Sequence, residues 1–150
     1  NNLGSLYRRA GNIEAAEKAY LISLAENPDD LVAMSNVARL YNEIGDVDLA
    51  IYYEKQAHDY RMRNPYFLYN LAQRAFVDRD YELAREHTQG AILQYDKEHR
   101  FYFLLGAIYQ KTGESELADD NFSRALELSG DNEQQSRYRN KMERISSLSS

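Results

Sequence analysis

The chain has no cysteine, two prolines, seven glycines and no apolar run long enough to cross a membrane. Without cysteine there can be neither disulfides nor thiolate metal sites. This does not fix the compartment, because a periplasmic protein can also lack cysteine; cytoplasmic and periplasmic settings both stay open. Scarce proline and glycine suit helices joined by short turns. No signal peptide is visible. The formal charge of −6 argues against a surface devoted to nucleic acid or anionic membrane.

What the chain does have is a period of 34 residues. Gly4, Ala38, Ala72 and Gly106 form one column of small residues. Leu3, Val37, Leu71 and Leu105 precede them, and Ala16, Ala50, Ala84 and Ala118 follow at the twelfth place. Tyr7, Tyr41 and Tyr109 recur three places after the small residue, with Ala75 as the exception. Gly11, Gly45 and Gly113 recur at seven, with Arg79 as the exception. A fixed period of this size signals stacked supersecondary units, and so a binding surface rather than a reaction centre. The first unit begins mid-repeat at Asn1, so further sequence is expected upstream.

Within one unit, Met34, Val37, Ala38, Leu40 and Tyr41 have helical spacing, and Gly45 ends the run. Asp46 is an N-cap for a second run through Leu49, Ala50, Tyr53 and Ala57. The pattern recurs at Gly11-Asn12, at Gly113-Glu114 and, without glycine, at Arg79-Asp80. Small residues let paired helices approach closely, and aromatics fill the space beside them. The predicted helices are 1–10, 13–26, 30–43, 47–61, 65–78, 81–95, 99–111 and 115–128. Past Gly130 the period stops. Asp131 and Gln134 form a capping-box pattern, and Tyr138, Met142 and Ile145 make an apolar stripe. The expected organisation is four repeats over 1–130, then a capping helix and a frayed tail from Ser146 over 131–150.

These motifs resemble the tetratricopeptide repeat (TPR): Asn2-Leu3-Gly4 with Tyr7, Gly11, Ala16, Tyr20 and Pro28, and Leu105-Gly106 with Tyr109, Gly113, Ala118, Phe122 and Ala125. The departures are Ala75 and Arg79 in the third unit, and Glu54 and Thr88 where the first and fourth have Tyr20 and Phe122. The resemblance implies an all-α, right-handed solenoid of four helix-turn-helix repeats plus a C-terminal capping helix. Its first helices would line a concave groove that binds peptides or proteins.

Positions opposite the small column should face that groove. They hold Asn2, Asn36 and Asn70, a line that resembles the asparagine ladder of the O-linked N-acetylglucosamine transferase TPR array. Such a line would grip peptide main chain, or else bond to neighbouring helices. The same face collects Arg8, Arg9, Arg39, Arg100 and Lys111 against Glu43, so an acidic peptide or free carboxylate is the expected ligand. Arg39 and Glu43 also have the spacing of a local ion pair. Tyr66, Tyr69, Phe76 and Phe103, with Gln73, complete the candidate groove. The aromatics there are either ligand anchors or packing against the next first helix. A chaperone-tail carboxylate clamp is set aside, because Asn1, Ser5, Tyr66, Ser35 and Leu104 stand where its residues would be needed.

Catalytic signatures do not emerge, and no cofactor is implied. His58, His87 and His99 lack metal-ligand spacing and are expected at partly exposed surface positions. The leading reading is a non-enzymatic scaffold that binds protein or extended peptide. The alternatives are a structural or self-associating segment, a homodimer among them, and a substrate-presenting helper domain of a larger enzyme.

Overall fold

The computed structural model describes residues 2–148, and only the backbone of Ser146. Nine helices account for nearly all of that span: α1 (Asn2–Arg9), α2 (Ile13–Glu26), α3 (Leu31–Ile44), α4 (Val47–Met62), α5 (Pro65–Val77), α6 (Tyr81–Gln94), α7 (His99–Thr112), α8 (Ser115–Ser129) and α9 (Asn132–Leu148). The predicted start of α1 falls on Asn1, outside the described residues. Every other predicted end of the first eight helices agrees to within one residue. The expected frayed tail is corrected in part. Serine at 146 and the two residues after it continue α9 to Leu148, while 149–150 lie outside the described residues.

The turns explain the regularity. Backbone N–H groups of Asn12, Asp46, Asp80 and Glu114 each donate to the carbonyl five residues back, all at 2.9 Å. The residue before each cap takes a left-handed conformation, which glycine adopts most cheaply. Arg79 does so as well, at φ 64°, so the third turn keeps its geometry without glycine. Asn12, Asp46 and Asp80 then cap the following helices by accepting from the N–H three residues on. Glu114 departs from this expectation: its carboxylate accepts from the Thr112 hydroxyl at 2.8 Å and makes no side-chain cap.

The chain divides into two compact units, 1–63 and 64–150. In the first, α1 pairs with α2 and α3 with α4 around Ala16, Tyr20, Val37, Leu40, Tyr41 and Ala50. Tyr20 is fully buried, and its hydroxyl hydrogen-bonds with that of Ser5 at 3.1 Å. In the second, α5 pairs with α6 and α7 with α8. One cluster there joins Ala72, Ala75, Ala84, Leu104 and Ile108; another joins Leu105, Tyr109, Ala118 and Phe122. α9 packs on α7 and α8, bringing Met142 and Ile145 to the second cluster. The alanine column at 16, 50, 84 and 118 is buried throughout.

Candidate functional site

Each unit presents one set of candidate side chains. In the first unit, Asn2 is exposed on α1 and Asn36 is half-buried on α3. Arg8 is paired across helices with Glu43 at 2.5 Å. That contact takes Glu43 away from the local pairing its spacing to Arg39 allowed. Arg39 is exposed and has no carboxylate partner among the described residues.

Beside Arg39 lies a cleft of about 450 Å³ between α3 and α4. Its lining includes Ser35, Arg39 and Asn42 from α3 and Glu54 and Arg61 from α4, over the buried alanines 38 and 57. The cause is one column. In the first and fourth helix pairs, an aromatic ring lies directly on the small residue of the partner helix. A Cβ added at Gly106 would sit 2.7 Å from Phe122, and one added at Gly4 would clash with the Tyr20 ring. In the second pair the aromatic is replaced by Glu54. That carboxylate is solvent-exposed and accepts from Asn42 Nδ2 at 2.9 Å. Arg61 Nη2 donates to Ser35 Oγ at 3.1 Å.

In the second unit the centre is Glu98, a residue the periodic reading passed over. Its side chain is only 11 % exposed and precedes α7 as its N-cap. Arg100 donates to it from Nε at 2.9 Å and from Nη2 at 3.0 Å, a two-pronged pair. The Tyr66 hydroxyl donates at 3.2 Å to Oε2, the oxygen that also accepts from Arg100 Nη2. The hydrogen bond from Arg100 outweighs burial and pulls the Glu98 carboxyl down to about 2. The Arg100 guanidinium also lies 5.6 Å from the Tyr66 ring centre and 5.8 Å from that of Tyr69. Both rings pack against the buried Phe101, and Gln73 Nε2 donates to the Tyr69 hydroxyl at 3.2 Å. Burial, above all, raises the Tyr69 phenol from its ordinary value.

The remaining candidates divide by exposure. Asn70 and Gln73 are exposed on α5 and line a shallow depression with Arg74, Val77 and Asp78. Lys111 is exposed near the end of α7. Phe76 is half-buried against Tyr81. Phe103 is half-buried and stacks on Tyr138 of α9 at 4.3 Å, with Lys141 above the ring. His99 is partly exposed, as expected, and hydrogen-bonds through Nδ1 with the Tyr138 hydroxyl. Burial pushes that phenol up to about 12. A larger hollow of about 800 Å³ lies at the α6–α7 junction, lined by Ile92, Leu93, Tyr95, Tyr102 and Leu105 among others. The Tyr102 hydroxyl there is engaged by the Asp96 carbonyl. Among the described residues no group of histidines and acids could hold a metal, and no helix is long and apolar enough to cross a membrane.

Comparison with known proteins agrees with this architecture. Two family models, both described as tetratricopeptide repeat, match residues 1–61 and 99–132. They bracket the third helix pair, where the Ala75 and Arg79 departures fall. A search of curated proteins finds no significant match. Among solved structures, PilF of Pseudomonas aeruginosa aligns over 96% of this chain at 23% identity, with a TM-score of 0.52. This chain covers 64% of that structure. A structure of MamA aligns over 84% of this chain and 74% of its own length, at 22% identity and TM-score 0.48. A MamA segment from Desulfovibrio magneticus RS-1 aligns over 85% and 72%, at 18% identity and TM-score 0.48. At these identities the likeness extends to the fold alone. With its phased small, aromatic and alanine columns on paired helices and its two matched spans, the chain belongs to the tetratricopeptide-repeat family.

Proposed function

We propose that this chain is a non-catalytic module that binds protein or extended peptide on the exposed faces of its first helices. The observation that carries the reading is the division of those helices. One side of α3 and of α5 is buried in its helix pair, while Arg39, Asn70, Gln73 and Tyr66 stay accessible on the other. Asparagine amides at 36 and 70 can serve peptide main chain with both donor and acceptor. Tyr66 and Tyr69 are aromatics already held by Phe101, so a ligand that covers them orders little that is not ordered already.

A preference for acidic ligands has narrower support than the charge count implies. Arg8 and Arg100 are already neutralised by Glu43 and Glu98, which leaves Arg39, Arg9 and Lys111 on those columns. Phe103 has its ring against Tyr138 and supports a packing role better than a ligand contact. In this reading α9 closes the apolar end of α7 and α8 as a terminal cap.

The test is titration of the 150-residue chain with a peptide selected from a display library. Asn36→Ala combined with Asn70→Ala should weaken binding roughly tenfold, at about 0.5–1.5 kcal/mol per lost hydrogen bond. Lys55→Ala, on the exposed side of α4, should leave binding unchanged. Loss with Lys55→Ala but not with the asparagine pair would move the ligand to the second helices. Self-association is the second reading. It is favoured by the exposure of Val47, Ile51 and Tyr52 on α4, and sedimentation of Ile51→Glu against the parent chain tests it.

A further inference from the structure

We propose that the cleft between α3 and α4 is a carboxylate pocket, in which Arg39 and Arg61 together hold the acidic group of a bound peptide. This deepens the preceding reading and rests on it.

The argument starts from the column that opens the cleft. An aromatic ring closes this position in the first pair (Tyr20) and in the fourth (Phe122), and both rings are buried. Glu54 supplies neither the volume nor the apolar surface, so the space above Ala38 and Ala57 stays open to solvent. The groups around that space are polar and convergent. Arg39 reaches it from α3 and Arg61 from α4, and neither is paired with a carboxylate among the described residues. The one carboxylate lining the cleft, Glu54, is engaged by the Asn42 amide. Ser35 fixes one end of Arg61 by accepting from Nη2.

The pocket therefore holds two guanidinium groups and one anion, a surplus of a single positive charge. That balance suits a monoanion. A phosphate would bring about two negative charges at neutral pH toward a site that already contains Glu54. Guanidinium is planar, always charged, and matches a carboxylate in a two-pronged fashion. Two such groups from different helices can grip one carboxylate from two directions. Glu54, held to one side by Asn42, is left as an acceptor for an N–H beside that carboxylate, which every peptide carries.

The experiment follows the arginine Nε–Hε signals by NMR on the 150-residue chain. Three small probes are added: N-acetylglutamate amide, N-acetylglutamine amide, and N-acetylalanine with a free terminal carboxylate. The first should move the Arg39 and Arg61 signals together along one saturating curve, and the neutral glutamine probe should move neither. Arg39→Gln and Arg61→Gln should each weaken binding by about tenfold, the loss expected for a hydrogen bond to a charged group. Lys18→Gln, on α2 and outside the lining of the cleft, should leave it unchanged. Glu54→Tyr should refill the space and abolish binding while keeping the helical circular-dichroism signal.

Saturable binding of either carboxylate probe supports the proposal, and the tighter of the two names the source as side chain or chain end. Equal binding of the glutamine probe would overturn it. So would uniform, non-saturating shifts across all exposed arginines, or tighter binding of inorganic phosphate. A library peptide that binds through Asn36 and Asn70 without moving these signals would discard the pocket and leave the general reading standing.

Discussion

The fourth helix pair and the second are the same structural unit with opposite outcomes at one position. In α7–α8, Gly106 leaves room for Phe122, and the ring is buried to 3 % exposure. In α3–α4 the small residue is Ala38 and its counterpart is Glu54, so the ring is gone and a cleft remains. Both pairs keep their left-handed turn and buried alanine. The lesson is that the aromatic column is not required to form the pair. Its occupant decides whether the space between the helices stabilises the fold or is left for a guest.

The largest expected effect tests the closed half of that comparison. Phe122→Ala should cost about 3–5 kcal/mol, since it removes a buried ring and leaves a cavity lined by Leu105, Tyr109 and Phe103. Chemical denaturation measures this, and a loss below about 1 kcal/mol would mean that the ring stabilises the pair no more than Glu54 does. Removal of 131–150 comes next. It should uncover Phe103, now stacked on Tyr138, and lower both melting temperature and solubility. A soluble truncation with unchanged melting would separate α9 from the stability of the fourth pair.

Ala72→Leu should cost about 1–3 kcal/mol by overpacking, because Ala72 is fully buried in the third pair. An unchanged melting temperature would show that the third pair has spare room, as the second does. A smaller effect concerns charge. The folded Glu98 carboxyl sits at about 2, below its ordinary 4.5. A depressed acid contributes stability that is fully present above its unfolded value and lost as the folded form is protonated. The contribution should therefore hold above about pH 4.5 and fade toward pH 2. Glu98→Gln should flatten the melting-temperature profile in that window, and a profile parallel to the parent would remove Glu98 from the account. The smallest change is Glu54→Tyr, which should raise stability by roughly 1 kcal/mol if the second pair can accept the ring of the first. Destabilisation would show that the two pairs differ in helix spacing and not only in side chain.

Much of this was legible because it repeats. The helix ends, the buried alanine column and the turns follow from spacing alone, and the third turn keeps the left-handed geometry with Arg79 in place of glycine. Glu54 stood out as a departure, but the cleft did not, since a column shows what is missing and not what moves in. Glu98 was passed over because caps lie between the helical columns. The Arg8–Glu43 pair was hidden by the local spacing of Arg39 and Glu43: a rule about one helix cannot see a partner on another. The stacking of Phe103 depended on Tyr138, which lies in the one helix outside the period.

The way these partners are spaced along the chain also governs how quickly the fold can form. The bond between His99 and Tyr138 spans 39 residues, the widest separation among the side-chain hydrogen bonds described, and Arg8–Glu43 spans 35. Contacts so close in sequence close short loops, and low contact order goes with folding on the microsecond-to-millisecond scale. No distant strand or terminus has to be found before a helix pair can settle. Each of the two units can therefore begin folding as soon as its own helices exist, including while the rest of the chain is still being made.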